Sequence, residues 1–77
     1  MLKKEKMFEE LEEILELDEA ISGDFSLEDC DAWDSLAKIS LAAFIEGECS
    51  IFFNDDEFSD FKNPDDIYAK LVEKVNE

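Results

Sequence analysis

The sequence predicts a small all-α fold, a four-helix bundle of three longer helices and one short helix, with a long loop between the first and second helices. Three observations support this prediction. Apolar residues recur at helical spacing in three segments. Asp34, Asn54 and Asn63 each stand where a helix cap is expected. The run Ile51-Phe52-Phe53 could form a strand, but no second run could pair with it. We expect one domain over residues 1–77.

The first helix is predicted from about Leu2 to Leu17, and a long loop follows it from Asp18 to Trp33. Within the helix, apolar residues recur at helical spacing between pairs of glutamates, namely Phe8, Leu11, Ile14 and Leu15. Within the loop that spacing is lost, and the apolar residues, which are Ile21, Phe25, Leu27 and Trp33, are expected to hold the loop against the helices. Loops of this length in compact domains are more often functional than not.

The second helix is predicted from Asp34 or Ser35 to about Glu48, and it carries apolar residues on nearly all sides. One stripe consists of Leu41, Ile45 and Cys49, and a second stripe consists of Leu36, Ile39 and Ala43. A helix with this pattern is normally central in its domain. The second stripe could pack against another helix or border a pocket, and the sequence leaves both alternatives open.

The remaining chain predicts a connector and two further helices. Ile51-Phe52-Phe53 is interpreted as a buried connector, and Asn54 as the cap of a short helix from Asp55 to about Phe61, with Phe58 and Phe61 pointing inward. The acids Asp55-Asp56-Glu57 suit a helix N-terminus but do not form an EF-hand loop. The last helix begins with Asn63 as cap and Pro64 at its first position. Its apolar stripe is Ile67, Leu71 and Val75.

The charge balance restricts the classes of partner. The chain has 23 acidic and 7 basic residues, a formal net charge of −16, and twelve carboxylates between Lys6 and Lys38. Such a protein repels nucleic acids and anionic membranes and attracts basic protein surfaces. The apolar content of 45%, with seven Phe, predicts that the chain folds despite this charge. We find neither a secretory signal nor a membrane-spanning segment and expect a cytoplasmic location.

The residue inventory argues against catalysis by the chain itself. It contains no His and no Arg, so that a reactive serine would lack a positioned general base. Cys30 and Cys49 are interpreted as reduced thiols rather than a disulfide framework. The sequence has no Gly-rich phosphate loop and no Cys/His metal motif. We therefore expect a non-catalytic protein.

The segment Trp33-Asp34-Ser35-Leu36 marks the point where the acidic loop becomes the second helix. Asp34 is a good N-cap, because its carboxylate can accept the free backbone N–H groups of the first helical turn. Ser35 is then an exposed hydroxyl held in a defined direction. An anionic group attached to it would lie near the helix N-terminus, where negative charge is favoured.

With its short, acidic chain and an Asp-Ser-Leu tripeptide at the start of the second helix, the protein resembles the acyl carrier protein family. The resemblance implies that Ser35 carries a 4′-phosphopantetheine arm, with Asp34 and Leu36 as the flanking motif. A separate phosphopantetheinyl transferase would attach the arm from coenzyme A. The arm's thiol would hold an acyl or aminoacyl group as a thioester. The partners implied are loading and acyl-transfer enzymes, and a monomer is expected.

Two positions depart from the family pattern. Ala32 stands where many carriers have Gly, and Ala37-Lys38 replaces the acidic residue that often follows Asp-Ser-Leu. The second departure suggests a carrier for a specialised biosynthetic pathway. The expected partner contacts are Leu36, Lys38, Ile39 and Phe44, and the resemblance adds that the extra apolar face of the second helix could border a cargo pocket. The alternative function is an acidic helical interaction module with an unmodified Ser35.

Overall fold

Four α-helices form the fold. The structure, a computed structural model, describes residues 2–76 apart from the side chain of Asp55. The helices are α1 (Lys4–Ile14), α2 (Ser35–Cys49), α3 (Asp55–Ser59) and α4 (Pro64–Val75), and no strand occurs within residues 2–76. The predicted all-α class, with three longer helices and one short one, is confirmed. None of the described helices is long and apolar enough to cross a membrane.

One hydrophobic core joins the three longer helices. Each contributes two residues with no exposed surface: Met7 and Leu11 from α1, Leu41 and Ile45 from α2, and Ile67 and Leu71 from α4. Helix α1 contacts both α2 and α4. The core also includes buried residues from the connecting segments and α3, namely Leu2, Leu15, Ile21, Leu27, Phe53, Phe58 and Phe61.

Helix α1 is shorter than the predicted range of Leu2 to Leu17. Glu16 adopts a left-handed backbone conformation with φ of 55°. Its N–H donates to the carbonyl of Glu13 at 3.2 Å, and the N–H of Leu17 donates to the carbonyl of Glu12 at 2.9 Å. These two bonds form a Schellman motif, which ends a helix. Glycine normally occupies the left-handed position, so the glutamate gave no sequence signal for this end.

The loop between α1 and α2 packs against the core through its apolar residues, as predicted, and hydrogen bonds also tie it to neighbouring segments. Near its start, the N–H of Ile21 donates to Glu12 Oε2 at 3.1 Å. Further along, the N–H of Leu27 donates to the carbonyl of Lys62 at 3.0 Å, and the carbonyl of Gly23 accepts from the N–H of Asp65 at 3.1 Å. Ile21 and Leu27 are buried, whereas Phe25 and Trp33 are half-buried. These contacts fix the direction from which the chain enters α2.

Only one of the two apolar stripes of α2 is covered. Leu41 and Ile45 are fully buried, and Cys49 is half-buried against the core. In contrast, Leu36 is 71% exposed and Ile39 is 59% exposed. The second stripe, whose surroundings the sequence left open, is therefore not packed against another helix. The helix lies at the edge of the core, with an open apolar face.

The segment between α2 and α3 is also only partly buried. Phe53 is buried and Ile51 is half-buried, but Phe52 is 68% exposed. The prediction of a fully buried connector is thus wrong for Phe52.

The caps predicted for α3 and α4 are present. The N–H of Glu57 donates to Asn54 Oδ1 at 2.9 Å, and the N–H of Asp66 donates to Asn63 Oδ1 at 2.9 Å. Pro64 occupies the first turn of α4. Ile67 and Leu71 are buried as predicted, but Val75 is 41% exposed because the last turn extends beyond the core.

Candidate functional site

Ser35 is the first residue of α2, and its side chain is exposed. Asp34 precedes it in an extended conformation, and Asp34 Oδ1 accepts the N–H of Ala37 at 2.9 Å. Two turns lead into this cap, because the N–H of Cys30 donates to the carbonyl of Leu27 and the N–H of Trp33 donates to the carbonyl of Cys30. The N-cap predicted from the sequence is confirmed. The residue that follows this cap, Ser35, is exposed to solvent.

A cleft of about 210 Å³ adjoins Ser35, and α2 and α3 form its walls. It is lined by Ser35, Lys38 and Ile39 from α2 and by Ser59 from α3. Lys38 lies three residues after Ser35, so the two side chains share one face of the helix. Among the side chains that the structure describes, no carboxylate lies within 4.0 Å of Lys38 Nζ. The cleft therefore combines a hydroxyl with an ammonium group that has no ion-pair partner there.

An apolar groove of about 350 Å³ continues from this cleft, with Lys38 and Ile39 belonging to both. One side of the groove is α2, and the other is the 52–54 segment with the beginning of α3. Besides the two shared residues it is lined by Ala42, Ala43, Glu46, Phe52, Phe53, Asn54 and Phe58. Of the open stripe of α2, Ile39 and Ala43 border this groove, whereas Leu36 lines neither the groove nor the cleft and is exposed to solvent.

Helix α3 is held in place by a capping box and an ion pair. Glu57 Oε1 accepts the N–H of Asn54 at 3.0 Å, and the Lys74 ammonium lies 2.8 Å from Glu57 Oε2. Lys70 lies 4.0 Å from the same oxygen. Burial raises the pKa of Glu57, but the hydrogen bonds from Lys74 and Asn54 and the charges of both lysines outweigh it. The pKa of this carboxyl is therefore below its ordinary value.

Aromatic contacts complete the attachment of α3. Phe58 makes edge contacts with Trp33 and Phe61, at ring-centroid distances of 6.0 and 5.5 Å, and a tilted contact with Phe53 at 5.6 Å. The Lys74 ammonium lies 5.2 Å from the centre of the Phe53 ring. The wall of the cleft that faces Ser35 is consequently packed against α4 and the loop that precedes α2.

Five of the predicted site residues lie together and one lies apart. Asp34 caps α2, and the first two turns of that helix contain Ser35, Leu36, Lys38 and Ile39. Phe44 is half-buried and packs against the core, so it offers less surface to a partner than the sequence suggested. The roles of all six in binding stay predictions.

Sequence reasoning missed three residues of this region. Ser59 lines the Ser35 cleft, Phe52 lines the groove, and Glu57 anchors α3. The spacing Asn54-x-x-Glu57 is the pattern of a capping box and could have identified Glu57. No comparable pattern marks Ser59 or Phe52, because their positions depend on how α3 packs beside α2.

The surroundings of Ser35 combine an exposed hydroxyl with the start of a helix. The chain has no His to serve as a general base, and the neighbouring carboxylate of Asp34 is engaged in its cap. Among the side chains that the structure describes, no group of three His, Cys, Asp or Glu residues is placed to hold a metal ion. Negative charge is favoured near a helix N-terminus, so the position of Ser35 is compatible with an anionic group.

Comparison of the chain with protein-family models, with curated proteins and with solved structures found no match.

Proposed function

We propose that this chain is an acyl carrier protein whose Ser35 bears 4′-phosphopantetheine. The observation that carries the proposal is the Asp34-Ser35-Leu36 tripeptide at the start of α2, with Asp34 as the N-cap and the Ser35 side chain exposed. The proposal includes a four-helix bundle arrangement, a monomeric state and a cytoplasmic location. The core shared by α1, α2 and α4 supports the first of these.

Attachment of the arm is a phosphoryl-type transfer carried out by a separate transferase. Ser35 Oγ forms a new bond to the phosphorus that bears the pantetheine unit in coenzyme A. The P–O bond of the pyrophosphate breaks, 3′,5′-adenosine bisphosphate leaves, and the serine proton passes to a base on the transferase. The carrier contributes an accessible hydroxyl and a rigid helix start. The exposure of Ser35 supports this role.

The loaded carrier would deliver a thioester-linked acyl or aminoacyl group to partner enzymes. The open groove beside the Ser35 cleft supports this role, since its apolar lining offers a surface on which an enzyme or cargo can rest. The surface that α2 would present to a partner is not acidic at its start, because the first turn of the helix carries no acidic residue. We therefore propose a carrier dedicated to a specialised pathway.

Intact-mass measurement tests the proposal. The purified protein is incubated with coenzyme A, magnesium and a broad-specificity phosphopantetheinyl transferase. We expect one phosphopantetheine group on the wild type and none on Ser35→Ala. Ser40→Ala is the matched control, because Ser40 is also an exposed serine of α2, and it should be loaded like the wild type.

Modification of Ser35→Ala, or an unmodified wild type, would contradict the carrier proposal. An unmodified wild type would instead favour an acidic interaction module that uses the exposed side chains of Leu36, Ile39 and Phe52 as its contact surface. Circular dichroism of each variant before the reaction establishes that a negative result does not come from unfolding.

A further inference from the structure

We infer that Lys38 is the internal counter-ion of the phosphodiester on Ser35 and directs the first bonds of the arm into the cleft between α2 and α3. This inference rests on the proposed function, because it concerns the anion that loading would create. Lys38 would be a positioning residue, since it binds the anchor of the arm and not the reacting thioester.

The direction of the helix places the two side chains together. Ser35 and Lys38 are three residues apart on α2, so that their Cβ atoms are about 5–6 Å from each other. Cα–Cβ bonds in an α-helix tilt toward its N-terminus. The lysine stem therefore extends back over the turn that begins at Ser35. Both residues line the same cleft of about 210 Å³.

The charges around Lys38 leave its ammonium group available for an added anion. Lys38 is the only basic residue between Lys6 and Lys62 in a chain with a formal charge of −16. In the part of the chain that the structure describes, the ion pairs of Lys4, Lys70 and Lys74 engage carboxylates, whereas Lys38 has no carboxylate within 4.0 Å. Its half-buried position keeps it beside the cleft.

A phosphodiester on Ser35 Oγ would bring a permanent negative charge next to this ammonium group. Pairing of an ammonium with a phosphate oxygen is a strong, charge-assisted hydrogen bond. The first backbone N–H groups of α2 favour the same charge. With the phosphate held on the Lys38 side, the pantetheine chain leaves Ser35 toward Ile39 and the apolar groove rather than toward the acidic loop before Asp34.

Phosphorus NMR of the loaded protein tests this pairing. Wild type, Lys38→Met, Lys38→Arg and Lys62→Met are loaded with the transferase, and intact mass establishes complete loading of each. Lys62→Met is the matched control, because it removes one positive charge from an exposed position outside the cleft. We expect the ³¹P resonance of Lys38→Met to move from the wild-type position and to relax more slowly. Lys38→Arg should restore both properties, and Lys62→Met should match the wild type.

A second measurement uses only the wild-type protein, so it does not depend on the folding or loading of any variant. In loaded wild type, the ¹⁵Nζ signal of Lys38 should show a coupling through the hydrogen bond to ³¹P, and the unloaded protein should lack this coupling. Identical ³¹P shifts and relaxation rates in all four loaded proteins, together with no such coupling, would overturn the inference while leaving the carrier function intact. A wild type that acquires no arm would overturn both, and intact mass separates that result from the first.

Discussion

Glu57 shows how one side chain can fix a short helix. It closes the capping box of α3 through the N–H of Asn54 and binds the Lys74 ammonium of α4. A helix of five residues does not persist by its own hydrogen bonds, because nucleation is costly and short helices are marginal in water. Its position beside Ser35 therefore depends on these bonds and on the burial of Phe58.

Glu57→Gln should separate the cap from the ion pair. Glutamine preserves the reciprocal cap but not the charge, so we expect a loss of about 0.5–1 kcal/mol in the free energy of unfolding at pH 7. The folded-state pKa of Glu57 lies below the ordinary value of 4.5. The contribution of the ionised Glu57 carboxylate to the free energy of unfolding is thus complete above pH 4.5 and is lost as the pH falls through the folded-state pKa.

Urea unfolding at pH 7 and at a series of lower pH values measures this effect. The difference between wild type and Glu57→Gln should be present at pH 7 and should shrink as the pH falls through the folded-state pKa of Glu57. Asp56→Asn is the control, because it removes an exposed charge from the same turn. A difference that stays constant with pH would contradict the ion-pair contribution.

At the residue scale, the sequence predicted the helix caps, in which a side chain accepts a bond from a nearby backbone N–H. The caps at Asp34, Asn54 and Asn63 could be predicted because each needs only a bond to an N–H three residues away. The pairing of Glu57 with Lys74 could not, because it joins residues seventeen positions apart whose approach depends on how α3 packs against α4.

At the scale of elements, α2 combines a buried stripe with an exposed one. Periodicity predicted both stripes, but not which of them is covered, because any apolar face satisfies the same pattern. The end of α1 was missed for a different reason. Glu16 adopts the left-handed conformation that ends this helix, and a glutamate does not signal it in the sequence.

Truncation of the two stripes should give opposite results. Leu41→Ala removes a fully buried side chain and should cost about 2–5 kcal/mol of unfolding free energy. Leu36→Ala, on the same helix at 71% exposure, should change stability by less than about 0.5 kcal/mol. Urea titration of both variants provides the measurement. A similar loss in the two would show that the faces of α2 are assigned incorrectly.

At the scale of the whole molecule, charge repulsion opposes the compact state. Part of the excess negative charge lies on one surface along α1 and its C-terminal end. A shallow depression there is lined by Glu9, Glu12, Glu13, Glu16 and Asp18. A domain of this size has a stability of only about 3–5 kcal/mol from its core. Because this stability is small, repulsion among the carboxylates should lower the fraction of folded protein.

Added chloride salt should stabilise the fold by screening this repulsion. Between low ionic strength and about 0.2 M sodium chloride, we expect the thermal midpoint to rise by at least about 4 °C, and millimolar magnesium should act similarly. The double variant Glu9→Gln/Glu13→Gln should melt higher than wild type in low salt and respond less to salt. An unchanged or lower wild-type midpoint would argue against a fold limited by repulsion.

The same charge distribution bears on the choice of partner. If enzymes of general fatty-acid synthesis present basic pockets to an acidic second helix, Lys38 opposes them while the net charge still attracts. The loaded protein should then be a poor substrate for those enzymes, and Lys38→Glu should improve its turnover. Lys38→Met, assayed beside it, distinguishes removal of the positive charge from gain of a negative one. Efficient turnover of the wild type would refute the assignment to a dedicated pathway.

The edge contact between Trp33 and Phe58 has a practical consequence. Trp33 is the only tryptophan of the chain, and it lies two positions before Ser35. Its ring is 6.0 Å from that of Phe58, which lines the apolar groove. Indole emission changes in wavelength and intensity with the polarity of its surroundings. Cargo entering the groove, or a partner displacing α3, should therefore alter the intrinsic fluorescence of Trp33. The unlabelled protein thus carries an optical reporter of whether the groove is occupied.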